Sequence, residues 1–75
     1  MRKDKFIQGF DERLLEAISK TGLTQREIEK RCGMQGKSNL YRYTVEHKMP
    51  CAYTIVRMAT VLNVSTDWLL GIEKI

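Results

Sequence analysis

The stretch from Thr24 to Thr44 constrains the fold of this chain more than any other. It predicts a helix, a tight turn and a second helix that is polar on one side. Thr24 and Glu27 have the spacing of a capping box, in which the two side chains accept hydrogen bonds from each other's backbone N–H groups. Gly33 follows Cys32 and predicts the end of the first helix, because glycine adopts the left-handed conformation at little cost.

The second helix of this stretch divides into a buried and an outward side. Leu40 and Tyr43 are three positions apart and are predicted to face the core. The outward positions carry polar or amphipathic side chains: Lys37, Ser38, Asn39, Tyr41 and Arg42. Side chains of these types suit hydrogen bonding to base edges better than packing. The alternative for each of them is a solvated surface side chain.

Length and charge limit the class of protein. The 75 residues allow one domain, which buries only about 60% of its unfolded surface. A hydrophobic content of 43% argues against disorder. The net charge of +4 and the pI near 9.3 favour an anionic partner, although many small proteins without one are as basic.

The sequence indicates neither a membrane nor a metal partner. No apolar run approaches the roughly 20 residues of a membrane span, and the start MRKDKFIQGF lacks the apolar stretch of a signal peptide. We therefore expect a cytoplasmic protein. Cys32 and Cys51 lie in apolar contexts and are predicted to be buried thiols. Together with His47 they lack the number and spacing of ligands that a metal needs, and we expect no cofactor.

The remaining patterns predict an all-α domain. The helices are expected at about residues 9 or 10 to 20, 25 to 32, 37 to 44 or 45, 52 to 62 and 66 to 70. Their caps and ends are predicted at Gly22, Thr24, Gly33, Asn63, Ser65 and Gly71. Their core positions are predicted at Phe10, Leu14, Ile18, Ala52, Ile55, Val56, Ala59, Leu62, Trp68 and Leu69. Residues 1–8 form a basic tail, whose first five residues are either a solvated end or an arm that contacts phosphates.

Nothing in the sequence indicates an enzyme. It has no nucleophile beside a base, no glycine-rich phosphate loop and no paired carboxylates in an apolar setting. The single histidine, His47, lies in the polar connector 46–50. We expect it to be a solvated surface residue, with a phosphate contact as the alternative. No small-molecule substrate is expected.

An ordered set of motifs resembles the helix-turn-helix family of phage repressors, Cro proteins and related bacterial regulators, the XRE type. The matching pieces are L-T-Q-R-E-I at 23–28, Gly33, S-N-L-Y-R-Y at 38–43, the connector ending at Pro50, and I-V-R-M-A-T-V-L-N-V-S-T-D-W-L-L-G at 55–71. Each piece is short, but the ordered set at this spacing is specific to the family. The resemblance implies a compact five-helix, lambda-repressor-like domain over residues 9–71, a short tail at 72–75, and a third helix that enters the DNA major groove.

The resemblance also implies a set of DNA contacts. The predicted DNA-binding residues are Gln25, Lys37, Ser38, Asn39, Tyr41, Arg42, His47 and Lys48. Gln25 would hold a phosphate at the start of the second helix. The candidate base readers are Lys37, Ser38, Asn39 and Arg42. Arg42 suits a guanine and Asn39 an adenine, because each side chain can form two hydrogen bonds with its base. Tyr41 would contact a phosphate or a thymine methyl group, and the last two residues of the set would contact phosphates.

Three features depart from the family pattern. Glu29 stands where the family usually has a small residue, and we expect it to turn toward Arg31 or Lys37 because burying an unpaired carboxylate is costly. The turn is one residue longer than usual, with Gly36 as the natural extra residue. Glu46 stands where the connector commonly has a glycine, so either the third helix runs longer or Glu46 repels a nearby phosphate.

The resemblance implies a sequence-specific, double-stranded DNA-binding regulator of transcription, of the phage or bacterial repressor kind. One such domain reads few base pairs, so we expect a homodimer on a palindromic operator. The dimer interface is expected at the last helix and the tail, where Ile72 and Ile75 would otherwise be exposed. The alternatives are a protein-interaction module, such as an antitoxin-type helix-turn-helix protein, and a basic domain without a specific partner.

Overall fold

The computed structural model of this protein describes residues 6–34 and 39–72. The described residues form α-helices and no strand, which is the all-α architecture that the sequence predicts. The helices are α1 (Phe10–Thr21), α2 (Gln25–Arg31), α3 (Leu40–Thr44), α4 (Ala52–Leu62) and α5 (Thr66–Leu70). In this described part of the chain, every helix is too short or too polar to traverse a bilayer.

The inner faces of all these helices meet in one core. Its fully buried large side chains are Phe10, Leu14, Ile28, Leu40, Met58 and Leu69. Burying a side chain of this size contributes about 1.5–3 kcal/mol. α1 lies against α3, α4 and α5, and α2 packs against α4. α1 is therefore the element on which α3 rests.

The inner face of α4 is rotated relative to the predicted one. Met58, Ala59 and Leu62 are buried, whereas Ala52 and Val56 are exposed. The prediction that Ala52 and Val56 face the core was wrong. The centre of the face is taken by Met58, whose unbranched side chain fills irregular gaps in a core.

Arg13 ties α1 to α5. Its Nε donates a hydrogen bond to the Leu69 carbonyl at 3.0 Å, and its Nη2 donates one to the Gln8 carbonyl at 3.3 Å. Gly71, at φ +82°, ends α5 in the left-handed conformation, and a Cβ there would lie 2.6 Å from Arg13 Nη2. Glycine at position 71 thus ends the helix and leaves room for the guanidinium.

The predicted capping residues are found at the ends of α1 and α4 and at the start of α5. Gly22 and Asn63 are left-handed and end α1 and α4. The Ser65 hydroxyl caps α5 by accepting a hydrogen bond from the Trp68 N–H at 3.0 Å. Leu69 is fully buried, as predicted, whereas Trp68 is only half-buried. Leu69 therefore closes the core at α5, and the partly buried Trp68 packs against that core.

Candidate nucleic-acid interface

The start of α2 is fixed by a capping box, as predicted. The Thr24 hydroxyl accepts a hydrogen bond from the Glu27 N–H at 3.1 Å, and Glu27 Oε1 accepts one from the Thr24 N–H at 2.8 Å. These bonds hold the pKa of the Glu27 carboxyl below its usual value. Gln25 is the first residue of the helix and its side chain is exposed.

The end of α2 is a Schellman motif centred on Gly33. Gly33 has the predicted left-handed conformation, at φ +76°. Its N–H donates to the Lys30 carbonyl at 3.1 Å, and the Met34 N–H donates to the Glu29 carbonyl at 2.9 Å. These are the two hydrogen bonds that close a helix in this motif. Both ends of α2 are thus specified by side chains and turns that the sequence predicts.

The two cysteines have different surroundings. Cys32 is buried, as predicted, and burial raises the pKa of its thiol. Cys51 is exposed, so the prediction of a buried thiol was wrong at this position. It precedes the first turn of α4, and its Sγ lies 3.4 Å from Thr54 Oγ1. Hydrogen bonding with Thr54 lowers the pKa of the Cys51 thiol.

The start of α3 differs from the prediction. The expected start near Lys37 is not found, because α3 begins at Leu40 and Asn39 is its cap. Asn39 Oδ1 accepts a hydrogen bond from the Arg42 N–H at 3.3 Å. Asparagine is among the residues that most favour a cap position. Further predictions fall outside the described residues, namely those on residues 1–5, Gly36, Lys37, Ser38 and Ile75.

Glu29 bridges the two helices of this pair. Its Oε2 accepts a hydrogen bond from the Leu40 N–H at 3.0 Å, in a partly buried setting. We expected this carboxylate to turn toward Arg31 or Lys37, but it hydrogen-bonds to the backbone at the first residue of α3. The cost of partial burial is offset because the carboxylate pairs with a helix N–H group that has no partner within the helix.

α3 has the buried and outward sides that the sequence predicts. Leu40 is 0% and Tyr43 is 7% exposed, whereas Tyr41 is 51% exposed and Arg42 is half-exposed. Val45 was not among the predicted site residues, yet it is 55% exposed. It follows Tyr41 by four residues and so lies on the same side. The four-residue spacing from Tyr41 could have predicted this position, but a valine by its residue type alone favours a core position.

The connector after α3 turns at His47. α3 ends at Thr44, so Glu46 does not extend it. His47 adopts the left-handed conformation at φ +58°, one residue after the position where the family commonly has a glycine. The Lys48 N–H donates to the Arg42 carbonyl at 3.0 Å, and the Lys48 side chain is exposed. The connector is therefore tied back to α3 and displays a cation beside it.

His47 is more than a solvated side chain. Its Nε2 lies 3.2 Å from Asp11 Oδ2 in the first turn of α1. Its ring stacks on Phe6, with 4.8 Å between ring centroids. Phe6 in turn meets Phe10 edge-on at 5.8 Å. These contacts hold the connector, and with it the end of α3, against α1.

A compact all-α domain whose short third helix has one side in the core and the other side exposed is typical of helix-turn-helix proteins. The chain belongs to the helix-turn-helix family, and the sequence profile described as "Helix-turn-helix" matches residues 14–69. The match confirms the resemblance to the phage-repressor and Cro type.

A curated relative adds a more particular similarity. Over 63 residues the chain is 36% identical to the protein named "HTH-type transcriptional regulator ImmR" from Bacillus subtilis (strain 168), covering 84% of this chain and 49% of that protein. The chain thus spans about half the length of the curated relative it matches. No solved structure matches it.

Proposed function

We propose that this protein is a sequence-specific, double-stranded DNA-binding regulator of transcription, of the repressor kind, with α3 in the major groove. The observation that carries the proposal is the two-sidedness of α3 within a helix-turn-helix domain. Leu40 and Tyr43 anchor the helix in the core, and Tyr41, Arg42 and Val45 are left at the surface. A side with these groups offers both hydrogen bonds and apolar contacts to base edges.

The base contacts are divided among a few side chains. Arg42 forms two hydrogen bonds with a guanine. Asn39 already uses its Oδ1 in the cap of α3, so we propose that it reads a base through its amide N–H groups alone. Tyr41 and Val45 contact thymine methyl groups, or Tyr41 contacts a phosphate. Lys37 and Ser38 complete the reading side as proposed from the sequence.

The phosphate contacts lie on both sides of α3. Gln25 contacts a phosphate from the start of α2, and Lys48 does so from the connector after α3. His47 supports the connector through Asp11 and Phe6, and we propose that the 56% of its side chain left exposed contacts a phosphate as well. The net charge of +4 supports such contacts.

We further propose that two copies bind one palindromic operator, because specificity from so small a domain needs two half-sites. The proposed interface includes α5 and Ile72, which is 60% exposed. The similarity to ImmR, named as a transcriptional regulator, supports a binding protein that regulates transcription rather than an enzyme. Action on DNA would place the protein in the cytoplasm of a bacterial cell.

A second candidate function is that of a protein-interaction module, such as an antitoxin-type helix-turn-helix protein. The outer face of α4 favours it: Tyr53 is 68% and Val56 is 54% exposed. Exposed apolar side chains that lie close together are typical of surfaces that bind proteins.

Gel-shift titration of random-sequence DNA at several salt concentrations, followed by selection of the bound sequences, tests the proposal. A DNA reader yields a recoverable, near-palindromic site with two copies of the protein bound. A protein-interaction module yields weak retention that salt abolishes and no recovered sequence. The second outcome would overturn the proposed function.

A further inference from the structure

Glu29 is bonded on both sides of the turn that joins α2 to α3. Its backbone carbonyl accepts a hydrogen bond from the Met34 N–H at 2.9 Å, where α2 closes. Its side-chain Oε2 accepts one from the Leu40 N–H at 3.0 Å, where α3 begins. One residue therefore fixes the last turn of α2 and the first residue of α3 relative to each other.

The first turn of α3 has two side-chain acceptors with different partners. Asn39 caps the Arg42 N–H from within the same segment, whereas Glu29 serves the Leu40 N–H from α2. Hydrogen bonds to a carboxylate are stronger than those between neutral groups. Burial raises the pKa of the Cys32 thiol, and the nearby Glu29 charge adds to this shift.

α3 depends on contacts of this kind for its orientation. It spans five residues, Leu40–Thr44, and so short a helix is not stable by itself. Its end is held against α1 through the connector at His47. Its start is held against α2 by Glu29.

We propose that Glu29 is a positioning residue for DNA recognition: its carboxylate holds the first turn of α3 where the outward side chains meet the base edges. The inference rests on the proposed function. The resemblance implies a small residue at this position, and Glu29 is one of the features in which this chain departs from that pattern.

Glu29 should affect specific binding and leave non-specific binding unchanged. Hydrogen bonds to base edges need a well-placed helix, whereas phosphate contacts carry no sequence information. Loss of the Glu29 carboxylate should therefore weaken binding to the preferred site and leave binding to random duplex unchanged. A role in stability alone would lower both affinities together, because it would reduce the folded fraction.

Three variants test this separation. Glu29→Ala removes the acceptor and is expected to fold, because small residues are usual at this position in the family. Glu29→Gln keeps an acceptor oxygen without the charge. Glu12→Ala removes the same charge from an exposed position on α1 and controls for the general attraction to DNA. Thermal unfolding checks that each variant is folded.

The ratio of specific to non-specific affinity is the first measurement. We expect it to fall about tenfold in Glu29→Ala, the size of a lost hydrogen bond to a charged group. We expect Glu29→Gln and Glu12→Ala to stay within about threefold of the wild type. A Glu29→Ala protein that keeps the wild-type ratio would overturn the inference.

Hydrogen exchange of the Leu40 amide without DNA is the second measurement. We expect faster exchange in Glu29→Ala and near wild-type exchange in Glu29→Gln, and unchanged exchange in Glu29→Ala would also overturn the inference. A wild-type protein with no sequence preference would overturn the proposed function, and the role in recognition with it. A clear wild-type preference together with an unchanged ratio in Glu29→Ala would overturn only the role of Glu29.

Discussion

We expect base discrimination to depend on Arg42 more than on any other residue. It is half-exposed in the outward part of α3, and its guanidinium can bind the O6 and N7 atoms of a guanine together. Arg42→Ala should weaken binding to the preferred site by about 1–3 kcal/mol and flatten the preference at one base pair. Titrations of the selected site and of its single-base variants measure both effects. An equal loss on selected and random duplexes would make Arg42 a phosphate contact only.

Lys48 should behave differently from Arg42. It is exposed in the connector after α3, and we expect its ammonium group to neutralise one phosphate. Lys48→Ala should weaken binding to all sequences alike and reduce the slope of log affinity against log salt by about one unit. Lys20→Ala, a change at an exposed lysine of α1 that pairs with Glu16 at 3.2 Å, is the matched control. An unchanged slope in Lys48→Ala would remove Lys48 from the interface.

Residue-level predictions succeeded where the cause is local. The Thr24 cap and the left-handed Gly33 follow from neighbours a few residues away, and the structure contains both. His47 and Glu29 have partners 36 and 11 residues distant. No short-range pattern in the sequence names such partners, because they are set by how the helices pack.

The capping box of α2 should make the stability of the protein depend on pH. Hydrogen bonds from the Thr24 backbone and side chain lower the pKa of Glu27 in the folded state below its ordinary value. The unfolded state therefore binds more protons just below the ordinary pKa of a glutamate, and stability falls as the pH drops through the folded-state pKa. Urea unfolding of the wild type and of Glu27→Gln should diverge above this window and converge at lower pH. Parallel pH dependence of the two proteins would contradict this role.

The packing of α5 can be tested with a pair of leucines. Leu69 is 0% exposed on the inner side of α5, whereas Leu15 is 50% exposed on α1. Leu69→Ala should lower the free energy of unfolding by about 2–5 kcal/mol, as deletion of a buried leucine does. Leu15→Ala should lower it by less than about 1 kcal/mol. Equal losses in urea unfolding would show that α5 does not close the core.

At the level of helices, the sequence predicts where a helix begins and ends better than it predicts which face of the helix is buried. The bounds of α4 and α5 match the predicted 52–62 and 66–70, because Asn63, Ser65 and Gly71 mark them. The buried face of α4 was misjudged, because several apolar residues compete for it and only packing selects Met58 over Val56. The start of α3 was misjudged because Asn39 suits a cap as well as a base contact.

In the whole molecule, α3 is a short helix that the rest of the fold must hold in place. α1 packs against α3 in the core. Glu29 hydrogen-bonds to the first residue of α3, and His47 holds the connector that follows α3 against α1. The all-α architecture was predictable because helical periodicity and caps repeat along the chain. The placement of α3 was not, because it depends on side chains from three other segments.

The most direct test of the central claim is protection of guanine N7 in the major groove of a duplex selected by this protein. With saturating protein, we expect the N7 atoms in both half-sites to resist methylation. In a complex of Arg42→Ala, one guanine of each half-site should become reactive again. Full reactivity of every guanine in the wild-type complex would contradict the claim that α3 reads DNA from the major groove.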